Sequence, residues 1–110
     1  MSKIATDLVQ SKRLVALGID SSTADMFYLD NGEDLKLMWE LVVDKPKYPA
    51  WSLDALLNLI PSPSLNKIFT GWRCDSYNED GSEIRLGADR DTAIDAAFEM
   101  ICWLKENNKI

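Results

Sequence analysis

The chain has no histidine, and that absence removes the commonest general base and the commonest metal ligand together. Serine–histidine and cysteine–histidine nucleophile systems are excluded with it. Cysteine is scarce too: Cys74 and Cys102 form no CxxC pair and have no imidazole to complete a zinc site, so both are expected reduced and no metal or cofactor is expected. The five glycines are scattered singly, and none opens a phosphate-binding loop ahead of a helix with Lys-Ser or Lys-Thr. No apolar run approaches the length that spans a bilayer, and Met1 to Asp7 lacks the regions of a signal peptide. The expectation is a cytoplasmic protein with no membrane association.

Basic residues are also in short supply. Twelve Lys and Arg against eighteen Asp and Glu give a formal charge of −6, and the basic residues form no stripe that could neutralise a phosphate backbone. Nucleic acid is therefore not an expected partner. The chain's 110 residues, 46 % of them hydrophobic, suffice for a single domain over 1–110 with a core that needs neither disulfide nor metal.

What is present is mostly information about packing. From Asp91 to Leu104 the chain reads as a capped helix: Ile94, Ala97, Phe98, Ile101 and Leu104 share one side, Ala93, Ala96, Met100 and Trp103 widen it, and Asp95, Glu99 and Glu106 leave a narrow polar strip. Thr92 with Asp95 makes a near capping box. Cys102 falls in the polar strip, where neighbouring carboxylates disfavour its thiolate. A second helix is expected from about Thr6 to Leu17 with Leu8, Val9, Val15 and Ala16 on its apolar side, ended by Gly18 with Ile19 folding back on Leu14. Asp20 to Asp25 reads as a turn or one short helical turn. Met26 to Leu29 has strand character and runs into the Asp30-Asn31-Gly32 turn. Leu35 to Val43 fits either period, with strand preferred after the turn. Lys45 to Ala50 is extended by its prolines. Ser52 caps a short helix carrying Leu53, Leu56, Leu57 and Ile60, stopped by Pro61 and Pro63. Ile68, Thr70, Trp72 and Cys74 alternate as in one strand from Lys67 to Tyr77, which Glu83 to Leu86 mirrors across Asn78 to Gly81. Cys74 is expected to be a small packed residue.

The architecture expected is α+β: N-terminal, middle and C-terminal helices packed on a small, mainly antiparallel sheet. Asp25, Asp30, Asp54, Asp75, Asp89 and Asp91 are available to an acid–base pair, but no spacing singles out two of them. Asp30 to Asp34 lacks the ligand spacing of a calcium loop and reads as a polar turn. All four tryptophans are expected in or partly in the core, Trp51, after a proline-rich turn, being the most exposed; Trp51, Trp103 and Met100 are the alternative candidates for a partner surface. Met100 and Trp103 need cover either from the N-terminal helix or from a second copy; a monomer is expected, with a homodimer through Trp103 as the alternative.

Three blocks, Ser11 to Gly18 with Ser22 to Met26, Tyr48 to Leu57, and Asp91 to Asn107, resemble a group of short, uncharacterised proteins from gut anaerobes of the Bacteroides kind, often encoded in prophage-like or other mobile regions. The resemblance implies a bacterial, cytoplasmic, phage-related setting and no activity or assigned residue. The function expected is that of a non-catalytic accessory or protein-interaction protein. The alternatives are a carboxylate-dependent hydrolase and, further off, an acidic mimic of nucleic acid.

Overall fold

The computed structural model describes residues 4–28, 35–37 and 48–110. It is an α+β fold in which the described residues form three α-helices and two antiparallel sheets, rather than the one sheet expected. The strands are β1 (Met26–Tyr28), β2 (Leu35–Leu37), β3 (Tyr48–Ala50), β4 (Pro63–Ile68), β5 (Gly71–Tyr77) and β6 (Glu83–Arg85); the helices are α1 (Leu8–Ala16), α2 (Leu53–Leu57) and α3 (Ala93–Glu106). The first sheet has the order β2-β1-β3 and the second β4-β5-β6. Strand pairing of Leu35–Leu37 with β1 agrees with the preference for strand there; the Asp30 to Gly32 turn, Trp39 and the rest of 38–47 lie outside the described residues.

Local chemistry sets the helix ends. Asp7 caps α1 in a reciprocal box: its Oδ1 accepts from the Gln10 amide at 2.8 Å while Gln10 Oε1 accepts from the Asp7 amide at 3.1 Å. At the other end Gly18, at φ 91°, closes a Schellman motif in which the Ile19 amide donates to Leu14 O and the Gly18 amide to Val15 O, both at 3.0 Å. Ser52 caps α2, and Thr92 caps α3 by accepting from the Asp95 amide at 3.0 Å.

The buried face of α1 is not the one its valines suggest. Ser11 and Leu14 point inward, while Val9 (79 % exposed), Val15 and Ala16 face out. A hydroxyl explains the choice: buried Ser11 shares a hydrogen bond of 2.8 Å with buried Thr6, so a polar residue serves the inward face without leaving an unpaired group. Thr6 then stitches the N-terminal segment to the first sheet, donating from its amide to Trp51 O at 2.9 Å, accepting from the Trp51 amide at 3.1 Å and accepting on its carbonyl from the Tyr28 hydroxyl at 2.8 Å.

The main core lies between α3, α2 and the second sheet. Ile94, Ala97, Met100, Ile101 and Leu104 of α3 join Leu56, Ile60, Trp51, Leu14 and Cys74 in one buried cluster. Leu14 brings α1 into the same cluster as Met100, beside Ala55 and Leu56 of α2, and α1 is also linked to α3 by polar contacts, Gln10 Nε2 to Asp95 Oδ1 at 2.7 Å and Arg13 to Glu106 at 2.6 Å. The Arg13–Glu106 pair is exposed and contributes little energy.

The second sheet corrects another expectation. Instead of one strand from Lys67 to Tyr77, the chain reverses at Phe69-Thr70, with Ile68 opposite Gly71 and Lys67 opposite Trp72. Beyond the Asn78 to Gly81 turn, β6 pairs with β5 at Tyr77–Glu83 and Ser76–Arg85 with a bulge at Ile84 between the two pairs, and past Arg85 the chain leaves the ladder and rejoins β5 at a bridge between Trp72 and Arg90. From Ser76 back to Trp72, β5 advances four residues while its partner advances five from Arg85 to Arg90, so a second residue is extra, in the stretch that contains Gly87. Gly71 and Gly87 make this fit: a Cβ at Gly71 would come within 2.2 Å of Arg90 O, and one at Gly87 within 2.1 Å of Cys74 O.

Gly87→Ala should therefore cost more than about 2 kcal/mol, since backbone must move aside. Gly81→Ala, at φ 87° with open space around its Cβ, should cost only about 1 kcal/mol for the left-handed conformation. Thermal melts of the two variants check the order; equal losses would contradict this account of the bulge.

Candidate functional site

The candidate carboxylates separate into those that build the fold and those that line a cleft. Asp25 accepts from the Ser52 amide at 2.8 Å and also from the Ser52 hydroxyl, joining β1 to the start of α2. Asp54 is exposed in the first turn of α2, and Asp30 lies outside the described residues. Asp75 is 1 % exposed; its Oδ1 accepts from the Gly87 amide at 2.9 Å and lies 3.2 Å from Arg73 Nε, while Oδ2 accepts from Arg73 Nη2 at 3.2 Å. A buried charge so surrounded is a structural latch, fastening the bulged return chain to the middle of β5.

Among the described candidates only Asp89 and Asp91 are brought together. With Asp95 and Glu99 of α3, Gln10, Arg90 and Phe98 they line an open cleft of about 440 Å³. Most of its acids already serve as acceptors: Asp89 for the Thr70 hydroxyl at 2.9 Å, Asp95 for Gln10, and Glu99 for a two-pronged pair with Arg90. Glu99 is the main reason the Arg90 guanidinium is held above its ordinary pKa. The arrangement anchors residues 89–91 to α3, and among the described residues no group of three or more acids and cysteines is placed to hold a metal ion. A second recess of about 390 Å³, between Lys12, Val15 and Ala16 of α1 and Tyr48 and Pro49 of β3, is more apolar, with Lys12 Nζ 4.8 Å from the Tyr48 ring centre.

Both thiols are pushed up to about 11. For Cys74, fully buried against α3, burial is the main cause and Asp75 adds to it. For Cys102 burial again leads; Glu106 and Glu99 raise it further, as expected of the polar strip, while Arg13 pulls the other way. Neither is an activated nucleophile.

Of the aromatic candidates, Trp51 requires a correction. It is wholly buried: Thr6 holds its backbone on both sides and its indole Nε1 donates to Thr23 Oγ1 at 2.9 Å, so the turn after Pro49 feeds it inward. Met100 is likewise covered within the chain. Neither side chain is on a surface that a partner can reach. Trp103 remains half-buried, with the Arg85 guanidinium 4.9 Å over its ring.

The exposed apolar feature lies where the sequence reading saw the middle of a strand. Phe69, the first residue of the two-residue turn between β4 and β5, is 106 % exposed. Beside it runs the free side of β4. Trp72 exchanges both of its backbone hydrogen bonds with Arg90, at 2.7 and 2.8 Å, so in the antiparallel ladder the opposite residue Lys67 directs its N–H and C=O away from β5. The unbroken register puts Leu65 and Pro63 in the same phase. Among the described residues β4 pairs only with β5, leaving the Leu65 and Lys67 backbone groups as an open strand edge, and Pro63 places its missing N–H on that outer side. Gly71, two residues after Phe69, was the signal in the sequence that the strand turns here.

Comparison with protein-family models, with curated proteins and with solved structures finds no match to this chain. No helix among the described residues is long and apolar enough to cross a membrane.

The raised thiols predict slow alkylation. At pH 8 the thiolate fraction falls about 100-fold for a shift from 9 to 11, partly offset by the greater nucleophilicity of a more basic thiolate, so Cys102 should react with iodoacetamide ~10-fold slower in the native than in the unfolded chain. Because the folded values lie above the unfolded ones, the stabilisation is present below pH 9 and lost as pH rises toward 11. The Tm should drop more steeply across that window than in a variant with both cysteines replaced by alanine; parallel curves would contradict the assignment.

Proposed function

We propose that this chain is a non-catalytic accessory protein that works by binding another polypeptide through the β4–β5 hairpin. The observation that carries the reading is Phe69. A two-residue turn favours glycine, asparagine or aspartate, and a phenylalanine held wholly in water gains nothing for the fold, whereas a protruding aromatic beside an open strand edge is a suitable anchor for a partner. Most groups that could support chemistry have fold duties: Asp25 and Asp75 are latches, Glu99 ties Arg90 to α3, Asp89 and Asp95 accept from Thr70 and Gln10, and both thiols are raised. The resemblance to small mobile-element proteins of Bacteroides-type bacteria agrees with an accessory role in a bacterial cytoplasm.

Incorporating p-benzoylphenylalanine at position 69 in the producing cell tests the reading. Irradiation should give a discrete cross-linked species heavier than the monomer, and the same probe at Glu79, on the tip of the other hairpin, should give none. No species from position 69, or the same species from both positions, would overturn it.

A further inference from the structure

We propose that the occupant of the open β4 edge is the same edge of a second copy of this chain, the two β4 strands pairing antiparallel about a two-fold axis to join two three-stranded sheets into one. This rests on the hairpin being the binding surface and names its partner.

A strand edge is satisfied by another extended backbone, and here the phase of the ladder restricts which register can form. Leu65 and Lys67 carry outward N–H and C=O groups, so they must meet residues of the same phase; Pro63 can only accept. Pairing Lys67 with its own copy would set two ammonium groups opposite one another, which is unfavourable. Pairing Leu65 with Lys67 of the other copy avoids this and lets each such pair exchange both backbone hydrogen bonds, with Asn66 facing Asn66 across the axis. Lys67 then lies along Leu65, a half-buried side chain at the margin of the core. The same register carries Phe69, one residue beyond the strand, onto exposed Pro63 of the other copy. The charge, the backbone phase and the two exposed apolar residues at opposite ends of the edge are met by one arrangement. Pro63 and Lys67, which blunt an edge against indiscriminate pairing, here act as register selectors. The contact is short, so the association is weak and dependent on concentration.

Sedimentation of the purified chain over a wide concentration series should show the mass rising from monomer toward dimer. Lys67→Pro removes an N–H that the β4–β5 ladder does not use, and it should weaken association about tenfold or more while leaving the circular dichroism unchanged and lowering the melt only by the loss of the Lys67 ammonium over the Trp72 ring, 5.5 Å from its centre. Phe69→Ser, a surface change, should also weaken it and decides the matter if the proline variant does not fold. Under mild oxidation Asn66→Cys should form a covalent dimer, and Ser64→Cys should not. A wild-type mass that stays monomeric throughout, or a folded Lys67→Pro chain that associates as the wild type does, would overturn self-pairing. If a Phe69-dependent cross-link to a different protein appears while the pure chain stays monomeric, self-pairing fails and the interaction reading stands; if position 69 cross-links to nothing, the interaction reading fails as well.

Discussion

One buried carboxylate organises the second half of this molecule. Asp75 sits in the central strand of a three-stranded sheet, nearly without solvent, held by Arg73 and by the amide of Gly87. A charge buried there needs more than one partner, and the Gly87 amide supplies the second where the chain returning from β6 departs from the β5 ladder. The bulge brings Arg90 back to Trp72 and delivers Asp91 and Thr92 to the start of α3, which then lies over the Cys74 side of β5. Gly87 permits the approach, and the pair of Arg90 with Glu99 ties the returning chain to the helix it starts.

The latch also makes the sheet unequal at its two sides. One side of β5 is closed by β6, the bulge and the Trp72–Arg90 bridge; on the other side β4 is the last strand among the described residues, with two residues whose backbone groups face outward and a phenylalanine at the tip. Closure of one side leaves interaction to the other. The proposed binding surface is thus a consequence of topology, and the acid-lined cleft near α3 is a by-product of how residues 89–91 are anchored.

Features governed by neighbours a few residues apart were legible in the sequence. The Gly18 ending, the Ser52 and Thr92 caps, the Asn78 to Gly81 turn and the span of α3 follow from local hydrogen bonding that tertiary contacts do not override. The misreadings have tertiary causes. On α1, Val9 and Val15 lost to Ser11 because Thr6 waits for a hydroxyl. Around Phe69 an apolar alternation ran straight through a two-residue reversal, which places Ile68 and Trp72 on opposite faces even though both are even-numbered, and only Gly71 marked the change. The complete burial of Trp51 was not legible because its clamps, Thr6 and Thr23, are distant in sequence. Nothing in the spacing of the aspartates distinguished Asp75, whose meaning depends on a glycine in the neighbouring strand.

Native-state amide hydrogen exchange, followed by NMR at high dilution, tests the central claim that β5 is closed on one side and β4 is open on the other. The amides of Trp72, Arg90 and Gly87 should be protected, as should Ser64, Asn66 and Ile68, whose phase turns them toward β5, while Leu65 and Lys67 between them exchange fast. Protection of Leu65 and Lys67 with rapid exchange of Gly87 and Arg90 would contradict the account.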